Sequence, residues 1–327
     1  MKCWAVHLRP FSMDNTTVII GAGMSGLIAA KALQIEGAQV MVLEKSRGLG
    51  GRLATKRVGD AVFDQGAQYF TVKDPLFESW VAGWQVIGAV SPWPESAHRR
   101  FIGRPSMTAV AKTLADGVEV KRDHKVTKIT RVGERWCIEV ENHGYICAAR
   151  VVLTSPVPQS LALLAAGGVE LPAEFASELA KLTYSPCLAL LVTLTGPCRL
   201  PVDGVTKAEG DVRWAADNQR KGVSPLVAAV TLHLSAEFST RHYGLGEAEV
   251  LELVRSEAEQ LIGAGIASVT LHRWKFAHAL ATHAEPCVWL PEFKLGFAGD
   301  AFGGPRVEGA ALSGLAMARR LLAELRK

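Results

Sequence analysis

The chain has 327 residues, 49% hydrophobic and 21% charged, with a net charge of +4; this is enough for one large or two ordinary domains with a sizeable core. Acids and bases are interspersed, with no basic tract of nucleic-acid type and no run of about 18 uninterrupted apolar residues, which argues against a polynucleotide partner and a helical membrane span. The six cysteines (Cys3, Cys137, Cys147, Cys187, Cys198, Cys287) show neither a C-x-x-C pair nor metal-ligand spacing, so the expectation is reduced thiols, no metal and a cytoplasmic setting.

Residues 1–12 contain His7, Arg9 and Pro10 and lack an apolar signal-peptide core, so they read as a mobile extension, with Met13 an alternative start. Residues 16–20 then form an apolar strand that runs into Gly21-Ala22-Gly23-Met24-Ser25-Gly26 and an apolar-striped helix. The three glycines fit G-x-G-x-x-G: a tight turn, close backbone approach to a pyrophosphate, and close packing of helix on strand. The helix N-terminus adds unpaired N–H groups and the positive end of its dipole. Residues 39–43 read as the next strand, ending in Glu44, 18 residues after Gly26. An acid there bonds ribose hydroxyls and repels a 2′-phosphate, which suits both FAD and NAD.

Lys45-Ser46-Arg47-Gly48-Leu49-Gly50-Gly51-Arg52 follows. Taken alone it is a flexible basic loop. After a ribose acid, however, Gly-Gly-Arg resembles the second phosphate-side motif of glutathione-reductase-like flavoproteins, in the branch with amine oxidases and phytoene desaturases. That resemblance implies that Gly51 and Arg52 approach the pyrophosphate of FAD. Residues 61–71 form a strand running into Gly66-Ala67-Gln68-Tyr69-Phe70-Thr71. Together these segments resemble the renalase family of FAD-dependent oxidoreductases, particularly its bacterial members. The resemblance implies cofactor contacts at Lys45, Ala67, Gln68 and Tyr69.

Residues 75–104 carry Trp80, Trp84 and Trp93 with Pro92 and Pro94, either a pocket wall or a helix and loop on the core. Ser106 is placed to cap a further helix. Residues 124–130 and 136–140 alternate and read as strands paired around Gly133; the resemblance places an adenine contact at the backbone of Val126. Residues 149–156 read as a strand returning to the FAD domain. Residues 187–194, 226–234 and 269–278 are strand-like, and an amphipathic helix spans 247–262, ending at Gly263.

Two segments there resemble renalase-family segments. Around Asp217-Asn218-Gln219-Arg220-Lys221, Arg220 or Lys221 is a candidate for a substrate phosphate, or else part of a solvated turn. Around His272-Arg273-Trp274-Lys275-Phe276-Ala277-His278, Trp274 is a candidate pocket wall, although Ala279 stands where proline is expected. His233, His272 and His278 lack ligand spacing and read as structural or surface residues. Finally, a strand ends in Gly299-Asp300 before a glycine-rich turn and a long helix with the small residues Gly309, Ala310, Ala311 and Gly314. In the resemblance Asp300 bonds the ribityl chain, and Arg306, Val307, Glu308 and Ala310 surround a helix N-terminus aimed at the flavin, where its dipole favours the reduced charge.

The expectation is an α/β protein: a Rossmann-type, glutathione-reductase-like FAD-binding domain (residues 13–72, 104–160 and 286–327) with a mixed-sheet α+β substrate domain (73–103 and 161–285). The renalase resemblance implies non-covalent FAD taking hydride from a 2- or 6-dihydro isomer of NAD(P)H and passing electrons to O₂, giving NAD(P)⁺ and hydrogen peroxide. An amine oxidase or desaturase-like enzyme of the same fold, with Trp274 and Tyr184 as an aromatic cage, is one alternative; a non-catalytic flavin redox sensor is another. No catalytic acid–base pair is identified, and none is needed when the donor already holds a hydridic C–H bond.

Overall fold

A computed structural model describes residues 15–93 and 99–326; the expected N-terminal extension and Pro94 lie outside the described residues. The centre is a six-stranded sheet in the order Val288–Leu290, Leu295–Phe297, Arg150–Leu153, Thr17–Ile20, Val40–Leu43, Glu119–Lys121. The last five run parallel, and Val288–Leu290 is antiparallel at the edge. Side chains alternate between its faces. Ile19, Val42 and Val152 point into a core shared with the helices Met24–Ile35, Thr108–Ala115 and Val307–Leu325. Val18, Ile20, Met41, Leu43, Val151 and Leu153 point into a second core, against a three-stranded meander (Val126–Val132, Arg135–Val140, Gly144–Ala148). Continuous apolar strands such as residues 17–20 are what a sheet covered on both faces requires.

The helix Pro75–Val86 places Phe77, Val81 and Trp84 in that first core, beside Leu27 and Leu321. This helix therefore packs on the nucleotide-fold side, and Trp84 serves the core. The expected Ser106 cap is not formed: the helix starts at Thr108 after Met107, with no side-chain cap bond. Here the Ser106 carbonyl accepts from Ala109 N–H.

A separate five-stranded sheet has the order Val205–Thr206, Val212–Asp217, Ala229–Leu234, Tyr184–Leu194, Ile266–Ala279. Leu188, Leu190, Val192, Val230 and Leu232 pack beneath the helix Glu247–Ile262, which stops at Gly263 (φ +73°), a left-handed C-cap that favours glycine. The strand expected from residue 226 starts at Ala229, with Leu226 exposed. The opposite face of this sheet meets residues 61–66: Ala61 and Phe63 pack on Leu191 and Ala229. Among the described residues no helix is long and apolar enough to cross a membrane.

Candidate active site

In an open parallel sheet ligands bind beyond the carboxyl ends of the strands, where the order reverses. Here that point lies between Thr17–Ile20 and Arg150–Leu153, and the chain places Gly21, Glu44, Thr154 and Gly299 at those ends. Gly21 has φ +111°, and a side chain on it would meet Thr154 Oγ1 at 2.8 Å. A Cβ on Gly26 would lie 2.1 Å from the Gly21 carbonyl oxygen, so the helix can sit this close only with glycine. A Cβ on Gly23, by contrast, would meet nothing within 4 Å; its backbone faces open space. The helix Met24–Ile35 has no side-chain cap and no acid in its first turn, so its first N–H groups lack a side-chain acceptor. Thr154 was not singled out from the sequence. Its hydroxyl donates to the Ile20 and Gly21 carbonyls at 2.9 and 3.1 Å, bracing the turn from the neighbouring strand.

Glu44 is buried, with each carboxylate oxygen anchored at 2.8 Å by a backbone N–H, Oε2 from Ala22 and Oε1 from Ser46. The remaining lone pairs stay available to further donors. Lys45 beside it is exposed. His124 N–H donates to the Glu44 carbonyl at 2.8 Å, which brings the start of Val126–Val132, with buried Val126, to this strand end. The second glycine loop lies along the first: Gly50 N–H donates to the Ala22 carbonyl at 2.8 Å, and a Cβ on Gly51 would sit 3.5 Å from Gly23 Cα.

The turn Gly51–Leu53 carries Arg52 toward the opposite end of the chain. Its guanidinium bonds Asp300 through two 2.6 Å contacts and donates to the Ala277 carbonyl at 3.0 Å. In this arrangement Arg52 is directed at the acid expected to hold the ribityl chain, not at the phosphates. The physical reason is that Asp300 is almost wholly buried and needs a cation. Burial disfavours the Arg52 charge, but the Asp300 carboxylate outweighs it and raises the arginine's pKa.

Residues 64–68 form the adjoining wall. Ala67 N–H donates to the Arg52 carbonyl at 2.8 Å. The Gln68 amide donates to the carbonyls of Asp64 and Gly66, while its Oε1, like Gln65 Oε1 and Ser25 Oγ, is buried without a partner. The Tyr69 ring is turned into a cluster of its own, 5.8 Å from Trp93, 5.5 Å from Trp214 and 4.3 Å from the Arg100 guanidinium. Beneath this wall lies a node the sequence did not disclose. Asp64 and Lys221, both fully buried, pair at 2.7 Å. Asp64 also accepts from Thr55 Oγ1 and Met107 N–H. Lys221 is therefore committed to the core, and its charge is disfavoured chiefly by burial. Arg220 is exposed and donates to the Leu200 carbonyl at 2.7 Å, so it does not join the wall.

Facing residues 65–66 is the five-stranded sheet. Trp274 Nε1 donates to the Gln65 carbonyl at 3.1 Å, and its ring lies 3.3 Å from where a Gly66 Cβ would be. His233 Nε2 contacts the same carbonyl at 3.2 Å, and His272 stands edge-on to Trp274 at 4.3 Å. His233 and His272 are in register across Ala189, hence on one face. The polar–apolar alternation of Thr231-Leu232-His233-Leu234 is the sequence signal for that placement. Burial pushes both imidazoles down to about 4 and lowers His278 too, so they are neutral near pH 7. Tyr184 packs on Phe276 at 5.8 Å; burial, then the nearby Asp300 charge, raises its pKa strongly.

At the C-terminal helix, Gly314 is pressed against the first helix: a Cβ there would lie 2.3 Å from the Ser25 carbonyl oxygen. Met24 and Ser25 are buried beneath it. Arg306 is the exposed N-cap residue, and Val307 and Ala310 pack on the first core. The Glu308 carboxylate accepts from Lys73 and Asp74 N–H at 2.6 and 2.8 Å, tying this helix start to the helix Pro75–Val86.

These residues fit FAD: an uncapped helix end behind an open glycine for the pyrophosphate, an anchored acid for a ribose, and orphaned Gln65 and Gln68 oxygens in the segment bonded to the Arg52 carbonyl for the flavin half. Comparison with known proteins agrees. A family model described as flavin containing amine oxidoreductase matches residues 92–322, and one described as an NAD(P)-binding Rossmann-like domain matches residues 19–82. A 4-hydroxybenzoate brominase (decarboxylating) of Pseudoalteromonas luteoviolacea (strain 2ta16) is 27% identical over 130 residues, 40% of this chain and 23% of that protein. An L-amino-acid oxidase of Sistrurus catenatus edwardsii is 42% identical over 74 residues, 23% of this chain and 14% of that protein. The chain thus spans under a quarter of the length of these curated relatives. Among solved structures, a triple mutant of putrescine oxidase superposes with a TM-score of 0.74 at 14% identity, covering 95% of this chain and 99% of the other. A candidate protoporphyrinogen oxidase from Exiguobacterium sp. 255-15 gives 0.73, with the same identity and coverage. At that identity the likeness is one of fold.

Proposed function

The chain belongs to the flavin-containing amine oxidoreductase family, with FAD as its cofactor, and from that premise we propose a renalase-like oxidase. Its donor would be a 2- or 6-dihydro isomer of NAD(P)H, and its products NAD(P)⁺ and, with O₂ as acceptor, hydrogen peroxide. When bound, FAD supplies the hydride acceptor and hands the electrons on. The chain's own task is to bind and orient the donor and to exclude competing chemistry.

One observation carries this reading: among the described residues, the buried carboxylates next to the 64–68 wall and the Arg52 turn are already paired, Asp64 with Lys221 and Asp300 with Arg52. A cationic amine would find neither acid free. The facing sheet instead carries the rings of Trp274, His272 and Tyr184. A dihydronicotinamide ring suits such a wall, and it needs no base because its C–H bond is already hydridic. His233 and His272, neutral near pH 7, add no positive charge beside a ring that becomes positive on oxidation.

Trp274, and Tyr184 packed on Phe276, favour one competing reading, a cage for a neutral amine, as in an amine oxidase. Anaerobic rapid mixing separates the two. Bleaching of the flavin absorbance by the 2- or 6-dihydro isomers is the expected result. Bleaching by amines alone would transfer the protein to the second reading, and bleaching by neither would remove both donors while leaving the FAD site in place.

A further inference from the structure

Cys137 and Cys147 sit directly opposite each other on the antiparallel strands Arg135–Val140 and Gly144–Ala148 of the meander. Their neighbours Trp136, Ile138 and Ala148 point inward and are buried, so both cysteines project from the outer face. Cys147 is exposed and Cys137 half-buried, and both are free thiols.

The type of pairing follows from one bond. Glu141 N–H donates 2.9 Å to the Lys125 carbonyl, on the side of Val126–Val132. The register irregularity skips Thr127 on that neighbour, while residues 135–140 pair without a break. Alternate residues 139 and 137 therefore turn their amides the same way, away from Gly144–Ala148. Cys137 and Cys147 are thus a non-hydrogen-bonded pair, for which Cα atoms lie about 4.5 Å apart with side chains at their closest. That is inside the roughly 4.4–6.8 Å that disulfides span. Burial and then the adjacent Cys147 raise the Cys137 thiol's pKa, which suits it to second place in a two-step oxidation.

We propose that Cys137 and Cys147 are a peroxide-sensitive modification site that closes to a reversible cross-strand disulfide. The Cys147 sulfur attacks one peroxide oxygen, the O–O bond breaks, and a sulfenic acid and water result. The Cys137 sulfur then attacks that sulfur, the S–O bond breaks, and hydroxide leaves as water with the thiol proton. Two thiols lose two electrons, and one hydrogen peroxide becomes two waters. The test adds peroxide directly, so it does not depend on the substrate assigned above.

No lysine or arginine falls between Trp136 and Arg150, so one tryptic peptide carries both cysteines. After the FAD-loaded protein is treated with hydrogen peroxide and alkylated, that peptide should carry no alkyl group and be two hydrogens lighter than the dithiol. Cleavage at Glu139 or Glu141 should leave two fragments joined until dithiothreitol parts them. Cys137→Ser should divert Cys147 to sulfinic or sulfonic acid. The proposal is overturned if both cysteines are alkylated, if Cys147 over-oxidises beside a free Cys137, if either links elsewhere, or if Cys137→Ser leaves the products unchanged.

Discussion

Asp64 and Lys221 offer the most direct test of how the wall of residues 64–68 is held. Both side chains are 0% exposed and their charges are 2.7 Å apart, worth about 6 kcal/mol of attraction at an effective dielectric of ~20. Desolvating two ions costs several kcal/mol each, so the intact pair is near balance, but removing one partner should cost about 3–5 kcal/mol. Asp64→Asn leaves a buried ammonium with only a neutral partner. Because burial already depresses the Lys221 pKa, that lysine escapes by losing its proton. The unfolded chain then binds more protons than the folded one, and stability of this variant should rise with pH across the alkaline range. Lys221→Met should cost somewhat less, since Thr55 and Met107 still donate to Asp64. The double variant should be milder than the sum by about 2 kcal/mol. Urea unfolding of the FAD-loaded proteins, followed by tryptophan and flavin fluorescence, reads all of this. Strict additivity of the two changes, or an Asp64→Asn stability indifferent to pH, would refute it.

Gly26→Ala pushes a methyl to 2.1 Å from the Gly21 oxygen; FAD affinity should fall more than about tenfold, over ~1.4 kcal/mol, measured by flavin retention on gel filtration. Glu44→Gln replaces an acceptor of two backbone bonds and should weaken FAD binding by about 1.5–3 kcal/mol, visible in apoprotein titration. His233, pushed to about 4 by burial, binds its proton less readily folded than unfolded, so stability should hold above pH ~6.5 and fall by roughly 3 kcal/mol toward pH ~4. His233→Gln should abolish most of that loss, and equal losses in both proteins in urea melts at pH 7 and 4.5 would count against it.

The nucleotide half of the fold was readable because its signals are local. Glycine spacing, an apolar run and an acid at a strand end each state a backbone requirement that the geometry of Gly21, Gly26 and Glu44 meets. The helix Glu247–Ile262 was readable for the same reason, with an apolar stripe closed by Gly263. The wall facing Gln65 was not. His233, His272 and Trp274 share a face only because Ala229–Leu234, Tyr184–Leu194 and Ile266–Ala279 pair in one register, and pairing over such separations leaves no local mark. Lys221 shows the same limit from the other side: a basic residue in a polar turn reads as solvated until Asp64, 157 positions earlier, is brought within 2.7 Å.

Arg52 joins the two kinds of information. A glycine pair before an arginine reads as a phosphate loop, and the loop does lie against Gly23. Yet its guanidinium reaches across 248 residues to Asp300. Each Asp300 oxygen keeps one bond to Arg52 and has a lone pair left over. A hydroxyl donor can therefore be bound without breaking the pair, and the bidentate grip fixes the direction from which that donor must come. With the ribityl chain at Asp300, as the resemblance implies, the pair would also cancel the charge that this acid sets beside a reduced flavin. In that role the acid would be an acceptor of fixed direction with its field muted, and the dipole of the helix that follows would be left to act on the cofactor.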